Sequence, residues 1–181
     1  SRLGCQHGLS LYIETGGRKV LFDMGADGLF AENASKMEVD LASVDIAFIS
    51  HGHSDHGGGL KAFLEVNGKA KVYVNVRAFE PHFARRSGGV NAFIGLDPRL
   101  IQEGRLVAIE GSLRIDNKLE IMAEAAGEAF RPSGNSDLLM EKAGQVTEDD
   151  FGHEQNLVIH EGGKSVLFAG CAHNGIVNIM E

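Results

Sequence analysis

The sequence of 181 residues predicts one layered α/β domain, and three observations support this prediction. Apolar runs that suit buried strands alternate with segments of helical spacing in residues 45–76, as in strand–helix–strand units. Alternating apolar and polar residues flank glycine-rich turns near both ends of the chain, which predicts β-hairpins there. A cluster of histidines follows one buried strand, at the edge where open α/β folds place their sites. The length fits about one domain, residues 1–181.

The first predicted element is a β-hairpin. Residues 9–14 alternate apolar and polar side chains, residues 15–17 (Thr-Gly-Gly) form the turn, and residues 19–22 return as the second strand. Asp23 closes this hairpin, at a point where an aspartate favours a turn.

The predicted strand–helix–strand segment follows this hairpin. Residues 29–37 place apolar side chains at helical spacing, and residues 46–50 form an apolar run typical of a buried strand. Residues 60–66 again have helical spacing, and residues 71–76 predict another buried strand. The histidine cluster between these segments is therefore expected on a loop that joins a strand to a helix.

Residues 51–56 contain three imidazoles and one carboxylate, which is the composition of a metal site. Alternate side chains of an extended segment point the same way, so His51, His53 and Asp55 can face one cavity. His56 breaks the alternation and can turn to the other side of a metal pair. Neutral imidazole and carboxylate suit zinc, iron or manganese. The alternative is a polar surface loop, which has no structural need for such a cluster after a buried strand.

The middle of the chain carries fewer signals. Residues 80–89 mix aromatic residues, glycines and two arginines, a composition that suits a lid over a substrate pocket. Arg85 and Arg86 can bind an anionic group, and a solvated basic turn is the alternative. His82 is interpreted as a packing or surface histidine rather than as a ligand.

The second half of the chain predicts further strands around one long loop. Residues 105–110 and 118–122 have strand character, and residues 157–159 and 165–169 form a second hairpin. Residues 127–150 contain several breakers and are expected to form a long loop near the mouth of the site.

The pattern His-x-His-x-Asp-His of residues 51–56 resembles the signature of the metallo-β-lactamase superfamily. The resemblance implies a four-layer αββα sandwich of mixed sheets, incomplete here at both termini because a first strand and a C-terminal part are expected to be missing. It also implies one or two divalent metal ions as cofactors, zinc before manganese or iron. His53 stands where the iron-dependent flavodiiron branch has a carboxylate, which favours the hydrolase-like branches.

The resemblance also implies site residues outside the motif. Superfamily members have an acid in the place of Asp23, which supports the metal ligands by orienting a histidine. The histidine of a glycine–histidine step binds metal, and His153 takes its place. An aspartate that bridges both metals follows the next strand, and Cys171 stands there instead, with His173 two residues later. Either can reach a metal, and His173 is preferred because Cys171 also suits a small buried apolar position.

Four segments narrow the resemblance to one branch of the superfamily: residues 7–14, 51–56, 153–159 and 170–178. Proteins of this branch are labelled 7,8-dihydropterin-6-yl-methyl-4-(β-D-ribofuranosyl)aminobenzene 5′-phosphate synthase or simply metal-dependent hydrolase. They continue further and carry a later glycine–histidine step that contributes to the second metal position.

The resemblance therefore implies two metal positions of unequal completeness. The first consists of His51 and His53 with His153 or His173. The second, at Asp55 and His56, is expected to be underliganded.

The expected activity is hydrolysis by metal-activated water, with Asp55 as both metal ligand and proton acceptor. The substrate is expected to be a small molecule, with an anionic, phosphorylated or pterin-related compound as one option. One alternative is a condensation of the kind that the synthase label describes. The other is a non-catalytic metal-binding domain, whose metal would be closed off by four protein ligands.

Composition limits the remaining choices. The net charge of −8 argues against nucleic-acid binding, and the mean hydropathy of −0.08 is ordinary for a globular protein. The sequence contains no apolar run of about 20 residues and no visible signal peptide, so neither a membrane span nor secretion is expected. Cys5 and Cys171 suggest no disulfide framework, which favours the cytoplasm. An exposed sheet edge would favour a homo-oligomer.

Overall fold

Residues 2–181, the part of the chain that the computed structural model describes, contain three β-sheets and four short α-helices. The strands are β1 (Leu11–Thr15), β2 (Arg18–Phe22), β3 (Ile46–Phe48), β4 (Lys71–Asn75), β5 (His82–Arg85), β6 (Asn91–Phe93), β7 (Leu106–Ile109), β8 (Leu113–Arg114), β9 (Leu119–Ala123), β10 (Leu138–Lys142), β11 (Gln145–Glu148), β12 (Gln155–Glu161) and β13 (Lys164–Phe168). The helices are α1 (Leu29–Lys36), α2 (Ser54–Gly57), α3 (Leu60–Val66) and α4 (Ile176–Met180). Across these residues, every helix is too short or too polar to cross a bilayer.

The first sheet has the order β1-β2-β3-β4-β7 and is mixed. The hairpin β1–β2 is antiparallel, and β2, β3, β4 and β7 run parallel to one another. This is the predicted hairpin followed by the predicted strand–helix–strand units. The parallel strands end at one edge, where the loop after β3 carries the histidine motif.

One face of the first sheet packs against the helices. Leu21 and Ala47 point to this side and share a buried core with Phe30 of α1 and with Leu60 and Phe63 of α3. Burial of each large apolar side chain contributes about 1.5–3 kcal/mol. The period of two along a strand sends the next residues to the opposite face.

The opposite face of the first sheet packs against a second sheet, of order β13-β12-β9-β8. Phe22 and Phe48 meet Ile121 and Leu157 in a second buried core, and the rings of Phe22 and Phe168 lie 6.3 Å apart. The helix layer and the two stacked sheets confirm the predicted layered α/β class of mixed sheets. In chain order, α4 comes after β13, the last strand of the second sheet.

A third, antiparallel sheet of order β11-β10-β5-β6 lies beside the motif loop. The Ser54 N–H, in the motif, donates to the Ile94 carbonyl just after β6 at 2.7 Å. The prediction of an irregular loop over residues 127–150 was wrong in part, because residues 138–148 form the β10–β11 hairpin. Leu139 and Met140 of β10 are buried, and their burial stabilises a hairpin that has no strong sequence pattern.

Candidate metal centre

The motif loop is held between the ends of two strands. The Asp23 N–H, just after β2, donates to the Phe48 carbonyl at 2.9 Å, and the Gln155 N–H of β12 donates to the Ser50 carbonyl at 2.7 Å. Gly52 packs closely against the backbone of Ala78, since a Cβ at Gly52 would be 2.5 Å from the Ala78 carbonyl oxygen. The loop is therefore fixed to both stacked sheets.

His51 is fully buried, and a hydrogen-bonded chain decides which of its nitrogens is free. The Ser50 hydroxyl donates to Asp23 Oδ2 at 2.8 Å, so Ser50 Oγ accepts from His51 Nδ1–H, also at 2.8 Å. His51 Nε2 is buried and has no hydrogen-bond partner within residues 2–181. Burial, followed by the neighbouring imidazoles, lowers the pKa of His51, so the ring is neutral.

Asp23 also orients His56. It is fully buried, accepts from the Ser50 N–H at 2.7 Å, and receives His56 Nδ1–H at 2.6 Å. His56 Nε2 then lies 3.2 Å from Cys171 Sγ and 3.6 Å from Asp55 Oδ2. Burial disfavours the charged ring, but the bonds to Asp23 and Cys171 raise the pKa of His56 to about 10. A cation that binds at Nε2 must therefore displace a proton.

His173 points a free nitrogen toward the motif. Asn135 Nδ2 donates to the His173 carbonyl at 2.8 Å, so Asn135 Oδ1 accepts from His173 Nδ1–H at 2.9 Å. The ring stacks on Phe151 at 4.5 Å and lies 5.0 Å from the ring of His51 and 5.1 Å from that of His53. His173 Nε2 is buried without a partner in the described chain. Burial, with the nearby imidazoles, lowers the pKa of His173 to about 3.

A second group of buried side chains surrounds Asp149. Its Oδ2 atom lies 3.0 Å from His82 Nδ1, 3.2 Å from His153 Nε2 and 3.7 Å from His53 Nε2. Burial raises the pKa of Asp149, but the hydrogen bonds from the imidazoles outweigh burial and hold it well below its usual range. Burial lowers the pKa of His153 to about 4, although Asp149 opposes this shift.

Sequence reasoning missed His82 and Asp149. His82 is fully buried beside His53 and His153, which agrees with the packing option and not with the surface option. A lone histidine in residues 80–89 carries no spacing signal. Asp149 precedes His153 by four residues in an acidic run, and that position alone does not separate a buried carboxylate from a solvated one.

Asp55 and Cys171 lie at the open side of the site. Asp55 is partly exposed, and its Oδ2 atom lies 3.2 Å from Nε2 of His7, whose side chain is 93% exposed. Cys171 is exposed as well, so it is not the small buried apolar residue considered as an alternative. Both side chains can therefore reach a ligand that enters from solvent.

Arg85 and Arg86 do not join the cluster. Both are exposed, and Arg85 donates to the Ser136 carbonyl at 3.3 Å. Residues 82–85 and 91–93 form the β5–β6 hairpin, so the expected lid segment is a strand pair whose turn holds Arg86. Within residues 2–181, neither guanidinium bonds to a histidine or aspartate of the site.

The donor set fits divalent metal ions. Side chains whose donor atoms lie within 4.8 Å of one another form four overlapping groups. These groups are His53/His82/Asp149/His153, His51/Cys171/His173, His51/His53/Asp55 and Asp55/His56/Cys171. Buried imidazole nitrogens without partners are costly unless a ligand satisfies them, and neutral imidazole is the form that binds metal.

Comparison with known proteins identifies the family. The profile of the metallo-β-lactamase superfamily matches residues 3–179. The chain belongs to this superfamily. The superfamily fold implies divalent metal binding, in agreement with the histidine and aspartate groups of the site.

Two curated relatives are similar to nearly the whole chain. An uncharacterized protein of Methanocaldococcus jannaschii is 28% identical over 183 residues, and the match spans 97% of this chain and 66% of the relative. The 7,8-dihydropterin-6-methyl-4-(β-D-ribofuranosyl)-aminobenzene-5′-phosphate synthase of the same organism is 26% identical over 193 residues, spanning 97% and 64%. The chain therefore covers just under two thirds of the length of these curated relatives.

Solved structures show the same superfamily fold. A metal-dependent hydrolase of the β-lactamase superfamily has 30% identity and a TM-score of 0.74, with 97% of this chain and 62% of that chain covered. A metallo-β-lactamase of Cronobacter sakazakii has 16% identity and a TM-score of 0.52, covering 88% and 51%. At this lower identity the likeness concerns the fold alone.

Proposed function

We propose that this chain carries the metal centre of a metal-dependent hydrolase. The observation that supports the proposal most directly is the orientation of three imidazole rings by hydrogen bonds to Nδ1. His51, His56 and His173 each have Nδ1 bonded to a protein acceptor, and each directs Nε2 toward the other ligand candidates. Such outer hydrogen bonds orient the histidine ligands of metalloenzymes.

The residues divide between two metal positions. His51 and His53 would hold the first ion together with His173 or His153. Asp55, His56 and Cys171 would hold the second ion, with Cys171 in the place of the bridging aspartate.

Zinc suits the mixed sulfur, nitrogen and oxygen donors best, and manganese or iron are alternatives. A divalent ion supplies Lewis acidity, which lowers the pKa of water toward neutrality and polarises a substrate oxygen.

Asp55 is the candidate catalytic residue of this chain. Its carboxylate is partly exposed at the open side of the site and lies within reach of His56 and His7. A carboxylate there can accept a proton from the attacking water, a role that contributes about 10²–10⁴-fold in rate. Asp23, by contrast, is fully buried behind the motif and acts by orienting His56.

The substrate is proposed to be a small molecule with an anionic group. The solved relative described as a metal-dependent hydrolase supports hydrolysis, and the relative described as a pterin-ribofuranosylaminobenzene phosphate synthase supports a phosphorylated or pterin-related compound. That second relative also supports an alternative proposal, a condensation at the same metal centre.

A non-catalytic metal-binding domain is the other candidate. The replacement of the bridging aspartate by Cys171 motivates it. The two classes differ in coordination, because structural zinc sites are closed by four protein ligands and catalytic sites keep an open position. X-ray absorption of the zinc-loaded protein counts these ligands.

The proposal is tested by metal content and hydrolysis together. Elemental analysis is expected to find one to two metal ions per chain, and fewer in His53→Ala. In a screen of phosphoesters, lactones and thioesters, Asp55→Asn is expected to lower any activity by about 10²–10⁴-fold. Glu32→Gln changes an exposed carboxylate on α1 and serves as the control. Wild-type protein without metal, or with only closed four-ligand shells, would contradict the proposal.

A further inference from the structure

One buried carboxylate of the site, Asp149, lies outside the metallo-hydrolase motif. The Asp149 and His82 side chains are 0% exposed, as is that of His153, and the His53 side chain is 5% exposed. A carboxylate removed from water in this way requires several strong donors. Asp149 Oδ1 accepts from the Phe151 N–H at 2.8 Å, and the imidazoles surround Oδ2.

The protonation of His153 follows from its two partners. The Gly52 N–H donates to His153 Nδ1 at 2.9 Å, so Nδ1 carries a lone pair. The proton of the neutral ring is then on Nε2, from which it is donated to Asp149 Oδ2 at 3.2 Å. Both nitrogens of His153 are thus used in hydrogen bonds to the protein.

The same carboxylate determines which nitrogen of His53 is free. His53 Nε2 faces Asp149 Oδ2 at 3.7 Å, where a negative charge favours an N–H over a lone pair. At this distance His53 Nε2 makes no hydrogen bond and is buried without a partner within residues 2–181, so the charge of Asp149 alone acts on its N–H. A neutral ring protonated at Nε2 has its lone pair on Nδ1. Nδ1 is therefore the nitrogen that His53 can offer to a ligand.

We propose that Asp149, held by His82 and His153, is the positioning residue for His53, and that His153 is not itself a metal ligand. The third imidazole beside His51 and His53 is then His173, whose Nε2 is free and buried. This inference rests on the proposed metallo-hydrolase function and assigns roles within its site.

A metal ion inside the cluster of His53, His82, Asp149 and His153 is the competing explanation. It would need a lone pair on His153 Nε2 while Nδ1 still accepts the Gly52 N–H. A ring with lone pairs on both nitrogens is an imidazolate anion, a highly basic form. The observed bond to Gly52 therefore favours positioning over coordination.

The decisive variant is His153→Gln. A glutamine amide can accept the Gly52 N–H through its oxygen and donate to Asp149 through its nitrogen, but an amide nitrogen is not a zinc ligand. We expect His153→Gln to keep the wild-type number of zinc ions and His153→Ala to bind them about 10–100-fold more weakly. His173→Gln, the matched change at the proposed ligand, is expected to lose one zinc ion per chain.

Asp149→Asn tests the positioning residue itself. The variant is expected to keep its zinc stoichiometry and to bind about 10–100-fold more weakly, since only the orientation of His53 is lost. Calorimetric zinc titration gives stoichiometry and affinity, and the visible spectrum of the cobalt-substituted protein reports the ligand set. Circular dichroism and a thermal melt check that each variant folds.

The outcomes separate this inference from the proposed function. If wild-type protein binds no metal, the proposed function fails. If wild-type protein binds metal, but His153→Gln or Asp149→Asn loses one zinc ion per chain while His173→Gln keeps all of them, the positioning role alone is overturned. Retained stoichiometry in His153→Gln with loss in His173→Gln supports it.

Discussion

At the scale of single residues, the site is organised by which ring nitrogen of each histidine is occupied. Ser50, Asp23 and Asn135 each take the Nδ1 proton of one imidazole, so Nε2 is the nitrogen directed toward the other ligand candidates. A neutral imidazole has one donor and one acceptor, so a fixed outer partner also fixes the face that meets the metal.

Gly52 is the residue at which a minimal change should disturb this arrangement. A Cβ at Gly52 would lie 2.5 Å from the Ala78 carbonyl oxygen and 2.8 Å from His82 Nε2. Because the Ala78 backbone and the His82 side chain must shift, we expect Gly52→Ala to lower the free energy of unfolding by about 1–3 kcal/mol. Gly68→Ala is the control, since its Cβ would meet nothing within 4 Å. Equal denaturation midpoints for the two variants would contradict the packing role of Gly52.

At the scale of elements, the site depends on strands that end at one edge. β3 delivers the motif, and the side-chain amide of Gln155 at the start of β12 donates to the Ile49 carbonyl at 2.7 Å. β5 and the end of β11 bring in His82 and Asp149 from the third sheet. Strand registers therefore determine the site, because a slip of one residue would turn each side chain to the opposite face.

The β1 strand offers a test of pH dependence. Burial and the hydrogen bond to Glu14 at 3.0 Å raise the pKa of Tyr12 to about 12. A raised tyrosine pKa contributes stability that is present below the unfolded pKa of about 10 and is lost as the pH rises through about 12. Ultraviolet titration of tyrosinate should show Glu14→Gln lowering this pKa. An unchanged titration curve would mean that the Glu14 bond does not affect Tyr12.

At the scale of the whole molecule, the site joins three sheets. The motif follows the first sheet, His82 and Asp149 belong to the third, and Cys171 and His173 follow the second. The ligand atoms are close together only in the folded chain, so metal binding and folding are coupled.

Metal binding should consequently stabilise the fold. At a free zinc concentration of 100 times Kd, the expected gain in the free energy of unfolding is about 2.7 kcal/mol. Scanning calorimetry with zinc and then with a chelator measures this gain as a change in Tm. His160→Gln alters an imidazole outside the four metal-binding groups and should respond as the wild type does. The same Tm with zinc and with chelator would show that no ion bridges the sheets.

The layered α/β class, the first hairpin and the loop that presents His51, His53, Asp55 and His56 are all predictable from the order of the residues alone. These features depend on the periodicity of apolar residues and on spacing within short segments, and both can be related to strand or helix geometry without knowledge of distant contacts. The family signature lies in one such segment, and for that reason the superfamily is predictable from the sequence.

The surroundings of the ligands depend on contacts between distant parts of the folded chain. His82 and Asp149 are 67 residues apart in the chain, and Asn135 and His173 are 38 apart, yet each pair shares a hydrogen bond. Partners at such separations are selected by how the sheets stack, and no local pattern encodes them. The free nitrogen of each imidazole depends on these partners, so the structure rather than the motif distinguishes the proposed roles of His153 and His173.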